Sequence, residues 1–170
     1  MLYNVAQMLR EPAGATREYT LDEGVTFGDE QTWGKIRICG VLHLLRTLTG
    51  VLATGDLRTA IDEECARCLE HYHQPLMLAL EDEFYPQMDP DTGVTVAIPE
   101  SQFAIDEHHV LDLTEAIRQA VLINRPIQPL CRPDCQGLCP ECGVNRNLHA
   151  CDCAAPAVDP RWAKLKAMLS

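Results

Sequence analysis

The chain has 170 residues, which is one domain by length, with room for only a small appendage. Apolar residues make up 46% and charged ones 23%, which excludes a disordered tail, and with aromatics at 5% aliphatic side chains must fill the core. A formal net charge of −11 argues against a protein whose first task is to coat nucleic acid or an anionic membrane, and points to neutral or basic partners. No apolar run approaches the roughly 18 residues of a membrane span. The start, MLYNVAQMLREP, lacks the cationic and apolar pattern of a secretory signal, so a cytoplasmic protein is expected.

From Lys35 to Phe84 short aliphatic runs alternate with glycine breaks: Lys35 to Cys39, Gly50-Val51-Leu52, then Gly55 to Ile61. This pattern predicts antiparallel strands joined by tight turns, with Leu76 to Leu80 adding another. The segment Glu81 to Pro99, punctuated by Pro86, Pro90 and Gly93, is expected to be an acidic loop. Asp112-Leu113-Thr114-Glu115 resembles a helix start, and Leu113, Ala116, Ile117, Ala120 and Val121 then recur at helical spacing until Asn124 and Pro126. A short terminal helix is expected after Asp159-Pro160, with Trp162, Leu165, Met168 and Leu169 on one face. The expected class is α+β: an antiparallel, partly barrel-like sheet packed by one main helix, followed by a cysteine-rich zinc-binding segment and the terminal helix. Residues 1–124 would form the core, and 125–170 a zinc-binding segment packed on it as one structural unit.

Charge divides along the same line. Residues 1–124 carry 8 Lys/Arg against 21 Asp/Glu, whereas 125–170 carry 6 against 4. Between Arg67 and Arg118 there are eleven carboxylates and no Lys or Arg, which predicts a strongly negative face.

Nine cysteines need a chemical reason, because disulfides do not persist in a reducing compartment and an odd count leaves no closed set of bridges. Six of them fall within 23 residues, from Cys131 to Cys153. Cys139-Pro-Glu-Cys142 is a turn that lets two sulfurs converge on one tetrahedral ion, and Gly143 relieves the backbone where amides must turn toward them. Cys151 and Cys153 would close the tetrahedron across an eight-residue loop, so Cys139, Cys142, Cys151 and Cys153 are expected to bind zinc. Cys131 and Cys135 then lack a complement, as do Cys65 and Cys68 of Cys65-Ala-Arg-Cys68. The two deficits add to a second four-sulfur site, provided that the strand end docks on the segment after Pro126. A buried thiol pair, redox chemistry or a different partition are the alternatives. His149 offers a substitute for Cys151. His71, His73, His108 and His109 receive no role, and Cys39, between Ile38 and Gly40, is expected in the core. Two tetrathiolate zinc sites, each contributing −2, would take the net charge to about −15.

These cysteines and the words around them resemble the bacterial and plastid YceD family, a domain of unknown function in many of its members. The resemblance is carried by Asn4-Val5-Ala6, Arg17-Glu18-Tyr19, Gly50-Val51-Leu52 with Gly55, Cys65-Ala-Arg-Cys68-Leu69, Glu83-Phe84, and above all Asp134-Cys135-Gln-Gly-Leu-Cys139-Pro-Glu-Cys142-Gly143 with Asn145 and Asn147. Asp159-Pro160-Arg161 also fits, whereas Arg146 departs from the aliphatic residue expected between the two asparagines. Shorter-tailed members keep counterparts of Cys65, Cys68 and Cys135 and a histidine where Cys131 stands, which implies the same partition of the cysteines. The resemblance implies a role in accumulation of large-subunit ribosomal RNA. The expected protein is therefore a non-catalytic ribosome-assembly factor with two structural zinc ions. Its acidic stretch 81–115 would hold a basic large-subunit ribosomal protein, with pre-ribosomal RNA as the competing partner, and no membrane or small-molecule substrate. A thiol-disulfide oxidoreductase using Cys139 and Cys142, or a zinc-responsive regulator, are the alternatives. No Gly-x-Ser-x-Gly elbow or phosphate-binding Gly-Lys-Ser/Thr loop is present.

Overall fold

The computed structural model describes residues 1–27, 35–99, 101–153 and 161. In chain order the elements are β1 (Leu2–Asn4), α1 (Ala6–Leu9), β2 (Thr16–Thr26), β3 (Lys35–Arg46), β4 (Val51–Glu64), β5 (His71–Pro86), β6 (Phe103–Ile105), β7 (Val110–Asp112) and α2 (Thr114–Asn124). The seven strands form one sheet in the order β1-β7-β6-β5-β4-β3-β2, curled into a half-barrel. Neighbours are antiparallel except β5 and β6, whose parallel pairing follows from the long connection 87–102.

Side-chain alternation gives the sheet one buried face. β3 buries Ile36, Ile38, Leu42 and Leu44 and β4 buries Val51, Ala53, Leu57, Thr59 and Ile61, while exposed residues such as Arg37, His43, Asp56 and Arg58 alternate with them. Leu78, Leu80 and Phe84 of β5 complete the inner face, and Ala116, Ile117 and Val121 of α2 are buried in the same core. The stripe predicted for this helix is the one it buries. The N-cap position falls on Leu113, which has no side-chain cap; Asp112, one residue earlier, accepts the Thr114 N–H at 2.9 Å.

The strands are longer than their apolar runs suggested. β5 continues to Pro86, so Glu81, Asp82 and Glu83 belong to a strand paired with Thr54, Ala53 and Leu52, and not to a loop. Hydropathy missed this because three consecutive carboxylates carry no apolar alternation, although only Glu81 is fully exposed and Asp82 takes the inward register of Leu80 and Phe84, where burial raises its pKa. β1, α1 and β2 also escaped the sequence reading, since β2 exposes polar residues at alternate positions and buries fully only Leu21 and Val25. Cys39 is not in the core. It sits half-buried on the outer face, where its thiol donates to Asp22 Oδ1 at 3.3 Å, because β3 buries even-numbered positions. The terminal helix expected after Pro160 lies outside the described residues. No helix among them is long and apolar enough to cross a membrane.

β4 and β5 pair from Val51↔Phe84 out to Glu64↔His71. The tip of this long hairpin carries Cys65 and Cys68.

Candidate metal centres

Two groups of four sulfurs come together, Cys65/Cys68/Cys131/Cys135 and Cys139/Cys142/Cys151/Cys153, and within each group the sulfurs all lie within 4.8 Å of one another. Both groups match the partition expected from spacing. In the first, Cys65 and Cys135 are 3.8 Å apart and Cys68 and Cys131 3.7 Å. A disulfide would need about 2.05 Å. Four thiolates about 2.3 Å from a tetrahedral ion sit about 3.8 Å from each other, so the spacing fits a shared cation.

The two Cys-x-x-Cys turns are built alike. Leu69 N–H donates to Cys65 O at 2.9 Å and Cys65 N–H to Glu70 O at 2.9 Å; in the other turn Gly143 N–H donates to Cys139 O at 2.9 Å and Cys139 N–H to Val144 O at 2.8 Å. The residue after the second cysteine is left-handed in both, Leu69 at φ 59° and Gly143 at φ 72°. This conformation turns following amides toward the sulfurs, and only glycine adopts it without steric cost.

Docking of the hairpin tip on the tail creates the first group. Ala66 N–H donates to Pro129 O at 2.8 Å, Leu138 N–H to Arg67 O at 3.0 Å, and the Arg67 guanidinium to Cys135 O at 2.9 Å. Gly137, at φ +70°, lies so close to Arg67 that a Cβ there would stand 2.9 Å from its carbonyl oxygen. Nearby, Arg125 pairs with Glu63 at 2.5 Å and 2.9 Å, neutralising a carboxylate that is only 4% exposed where α2 gives way to the tail.

Burial raises the pKa of the Cys65 thiol, but the backbone N–H groups of Cys131, Cys68 and Arg67 outweigh it and bring it down to about 6. Burial and the neighbouring thiols push Cys131 up to about 12. In the second group the N–H groups of Cys142 and Glu141 lower Cys139 to about 6, while the Cys142 thiol is first among the groups that push Cys153 up to about 12. In each group one thiol ionises readily and another resists, because adjacent thiolates repel unless a cation compensates them. Each group of four could hold a metal ion of the tetrahedral, sulfur-preferring kind. The groups differ in exposure: Cys65, Cys68 and Cys135 are buried, whereas Cys142 and Cys153 are exposed, and Cys139, Cys151 and Cys153 line an open cleft of about 460 Å³.

Sequence reasoning missed the supporting contacts. Asn147 donates to Cys135 Sγ at 3.3 Å, and its oxygen accepts from Gln136 N–H at 2.9 Å and Arg132 at 2.7 Å. Only the recurrence of Asn145 and Asn147 as words near the cysteines hinted at this. His149 is exposed and stands outside the group that Cys151 joins, so it replaces no sulfur there. His73 pairs with Asp62 at 2.5 Å and His108 with Glu107 at 3.7 Å, and among the described residues no histidine joins either group.

The carboxylates of 81–115 do not form one free surface. Glu83 accepts from Thr47 at 2.6 Å, Thr49 at 2.9 Å and Tyr85 at 2.9 Å. Asp89 binds the amides of Asp91 and Thr92, Asp106 those of His108 and Val110, and Glu115 pairs with Arg118. Asp56, Glu64 and Glu81 instead point outward from β4 and β5.

Comparison with known proteins places these features in context. The family model described as Large ribosomal RNA subunit accumulation protein YceD matches residues 53–169. An uncharacterized protein of Mycobacterium tuberculosis is 41% identical over 124 residues, covering 71% of this chain and 56% of its own length. A Mycobacterium leprae protein is 36% identical over the same length, covering 71% of this chain and 54% of its own. The chain thus spans about half the length of these curated relatives. An Arabidopsis thaliana protein, described as large ribosomal RNA subunit accumulation protein YCED homolog 1, chloroplastic, is 33% identical over 55 residues, covering 32% of this chain and 17% of its own. No solved structure matches significantly.

Proposed function

This chain belongs to the YceD family, and on that premise we propose that it is a non-catalytic, cytoplasmic ribosome-assembly factor that supports accumulation of large-subunit ribosomal RNA. Two zinc ions, one held by Cys65, Cys68, Cys131 and Cys135 and one by Cys139, Cys142, Cys151 and Cys153, would supply structural cross-links and no chemistry. The observation that carries this reading is the closure of both groups: four protein sulfurs fill a tetrahedral ion, leaving no position for water or substrate. The same closure speaks against a thiol oxidoreductase, whose attacking sulfur must be free. Residues 1–124 and 125–170 act as one unit, because the first group draws two ligands from each part.

The proposed partner is a basic protein of the large subunit. The net charge of −11, which two zinc sites would make more negative, favours it over pre-ribosomal RNA. The outward carboxylates Asp56, Glu64 and Glu81 are better placed to meet it than the stretch 81–115 taken whole. Recovery of the tagged protein with bound protein and RNA both identified tests the reading: a basic large-subunit protein is expected, and recovery of ribosomal RNA alone would transfer the contact to the cysteine-rich tail.

A further inference from the structure

The loop that closes the second sulfur group also holds a ligand of the first. Residues 143–150 run between Cys142 and Cys151, and from this loop Asn147 reaches across to Cys135, donating to its sulfur at 3.3 Å. The amide orientation follows from its partners: Oδ1 faces two donors, Gln136 N–H and Arg132, so Nδ2 must face the sulfur and Asn145 Oδ1, at 2.8 Å. The loop is anchored to the first group at two further points, Arg146 N–H to Gly137 O at 3.0 Å and Asn145 Nδ2 to Glu70 Oε1 at 3.3 Å. Glu70 lies two residues beyond Cys68, and Gly137 two beyond Cys135.

We propose that the two metal sites are energetically coupled, and that Asn147 is the positioning residue that couples them. An N–H···S bond disperses thiolate charge and fixes the direction of the sulfur, so it strengthens the hold on a cation. Its worth depends on the loop being closed, and an ion bridging Cys142 and Cys151 closes it. With the second site empty, ordering residues 143–150 becomes an entropic cost charged against the Asn147 contact. Filling either site therefore tightens the other, since coupling between two binding equilibria is reciprocal. The more exposed group thus acts as the clasp on the more buried one.

The inference rests on the zinc reading above, and its test is zinc titration of the full chain against a competing chelator, with alkylation of each cysteine followed by mass spectrometry. In Cys151→Ser the first site should still fill, but about tenfold more weakly, with faster alkylation of Cys135. Asn147→Ala should reproduce that loss with all eight thiols in place, and adding Cys151→Ser to it should weaken the first site little further. Asn147→Asp keeps an oxygen for Gln136 and Arg132 but removes the N–H, so a loss at least as large as that of Asn147→Ala supports the sulfur contact; wild-type affinity in this variant would overturn it. The exposed Arg146 side chain makes no contact of this kind, and Arg146→Ala should leave both affinities unchanged. Wild-type first-site affinity in Asn147→Ala, or losses that multiply in the double variant, would sink the coupling while two zinc ions per chain still stood. A wild-type chain that binds no zinc would remove both this inference and the metal reading on which it depends.

Discussion

At the scale of single residues, the two Cys-x-x-Cys turns provide a built-in comparison. They share their hydrogen bonds, yet one places glycine and the other leucine in the left-handed position. A left-handed non-glycine residue costs about 1 to 2 kcal/mol, partly offset by the lower entropy of its unfolded chain. Leu69→Gly should therefore leave stability unchanged or raise it by up to about 1 kcal/mol, whereas Gly143→Leu should lower it and weaken the second metal site; denaturant melts of both variants check this. Glu83 is a second such residue. The Thr47 hydroxyl beside it, helped by those of Thr49 and Tyr85, holds its carboxyl below the usual range against the opposing effect of burial. A depressed folded pKa means that the stabilisation is present above the unfolded value, about 4.3, and is lost as pH falls through the folded one. Glu83→Gln should cost about 1 kcal/mol at neutral pH, discounted for partial exposure. The wild-type and variant stability curves should converge as pH falls from about 4.3 through the lower folded pKa; a constant gap down to acid pH would show that the carboxylate charge is not responsible.

At the scale of elements, the long hairpin of β4 and β5 delivers Cys65 and Cys68 to the tail, and α2 ends beside the same junction. The first sulfur group therefore bridges residues some seventy positions apart, such as Cys65 and Cys135. The second closes only a local loop. Structural zinc in small peptides contributes on the order of 10 kcal/mol, so loss of either site should be visible in thermal melts. Cys68→Ser should destabilise the whole domain, and Cys153→Ser should cost less, because its site spans less chain. Equal melts for wild type and Cys68→Ser would contradict a bridging role. Arg125 belongs to the same junction: its removal would leave Glu63 buried with its main partner gone, for which about 3 kcal/mol is the expected cost of Arg125→Ala in a chemical melt.

At the scale of the whole molecule, metal content and surface charge can be measured separately. Native protein should hold two zinc ions, and a chelator should expose about eight thiols, those of the second group first because Cys142 and Cys153 are exposed. Cys39 should react slowly even in loaded protein, since the Asp22 carboxylate that accepts its hydrogen bond, together with burial, raises its pKa. A single zinc with Cys65 and Cys68 freely alkylated would remove the first site. For the surface, Asp56→Asn, Glu64→Gln and Glu81→Gln together should slow association with an isolated basic ribosomal protein and flatten its salt dependence without altering zinc content. Unchanged association at low salt would place the contact elsewhere. Glu83 is excluded from this set because its neutralisation would disturb the β3–β4 turn.

The sequence by itself determined the buried stripe of the helix Thr114–Asn124 and the family, and it pointed to the grouping of the cysteines that the fold then brings together. Each rests on local spacing: thiols two residues apart can share an ion, and an apolar stripe at helical period has one face to bury. What the tertiary structure decided is where outward-facing residues go. Strand parity put Cys39 on the outer face, since a one-residue change of register moves a side chain from core to solvent, and pairing with β4 made Glu81 to Glu83 part of β5, with Asp82 on the inward register of Leu80 and Phe84. Arg67 beneath Gly137 and Arg125 on Glu63 join residues far apart in the chain. No local pattern records such contacts, because they exist only once the hairpin tip and the tail have docked.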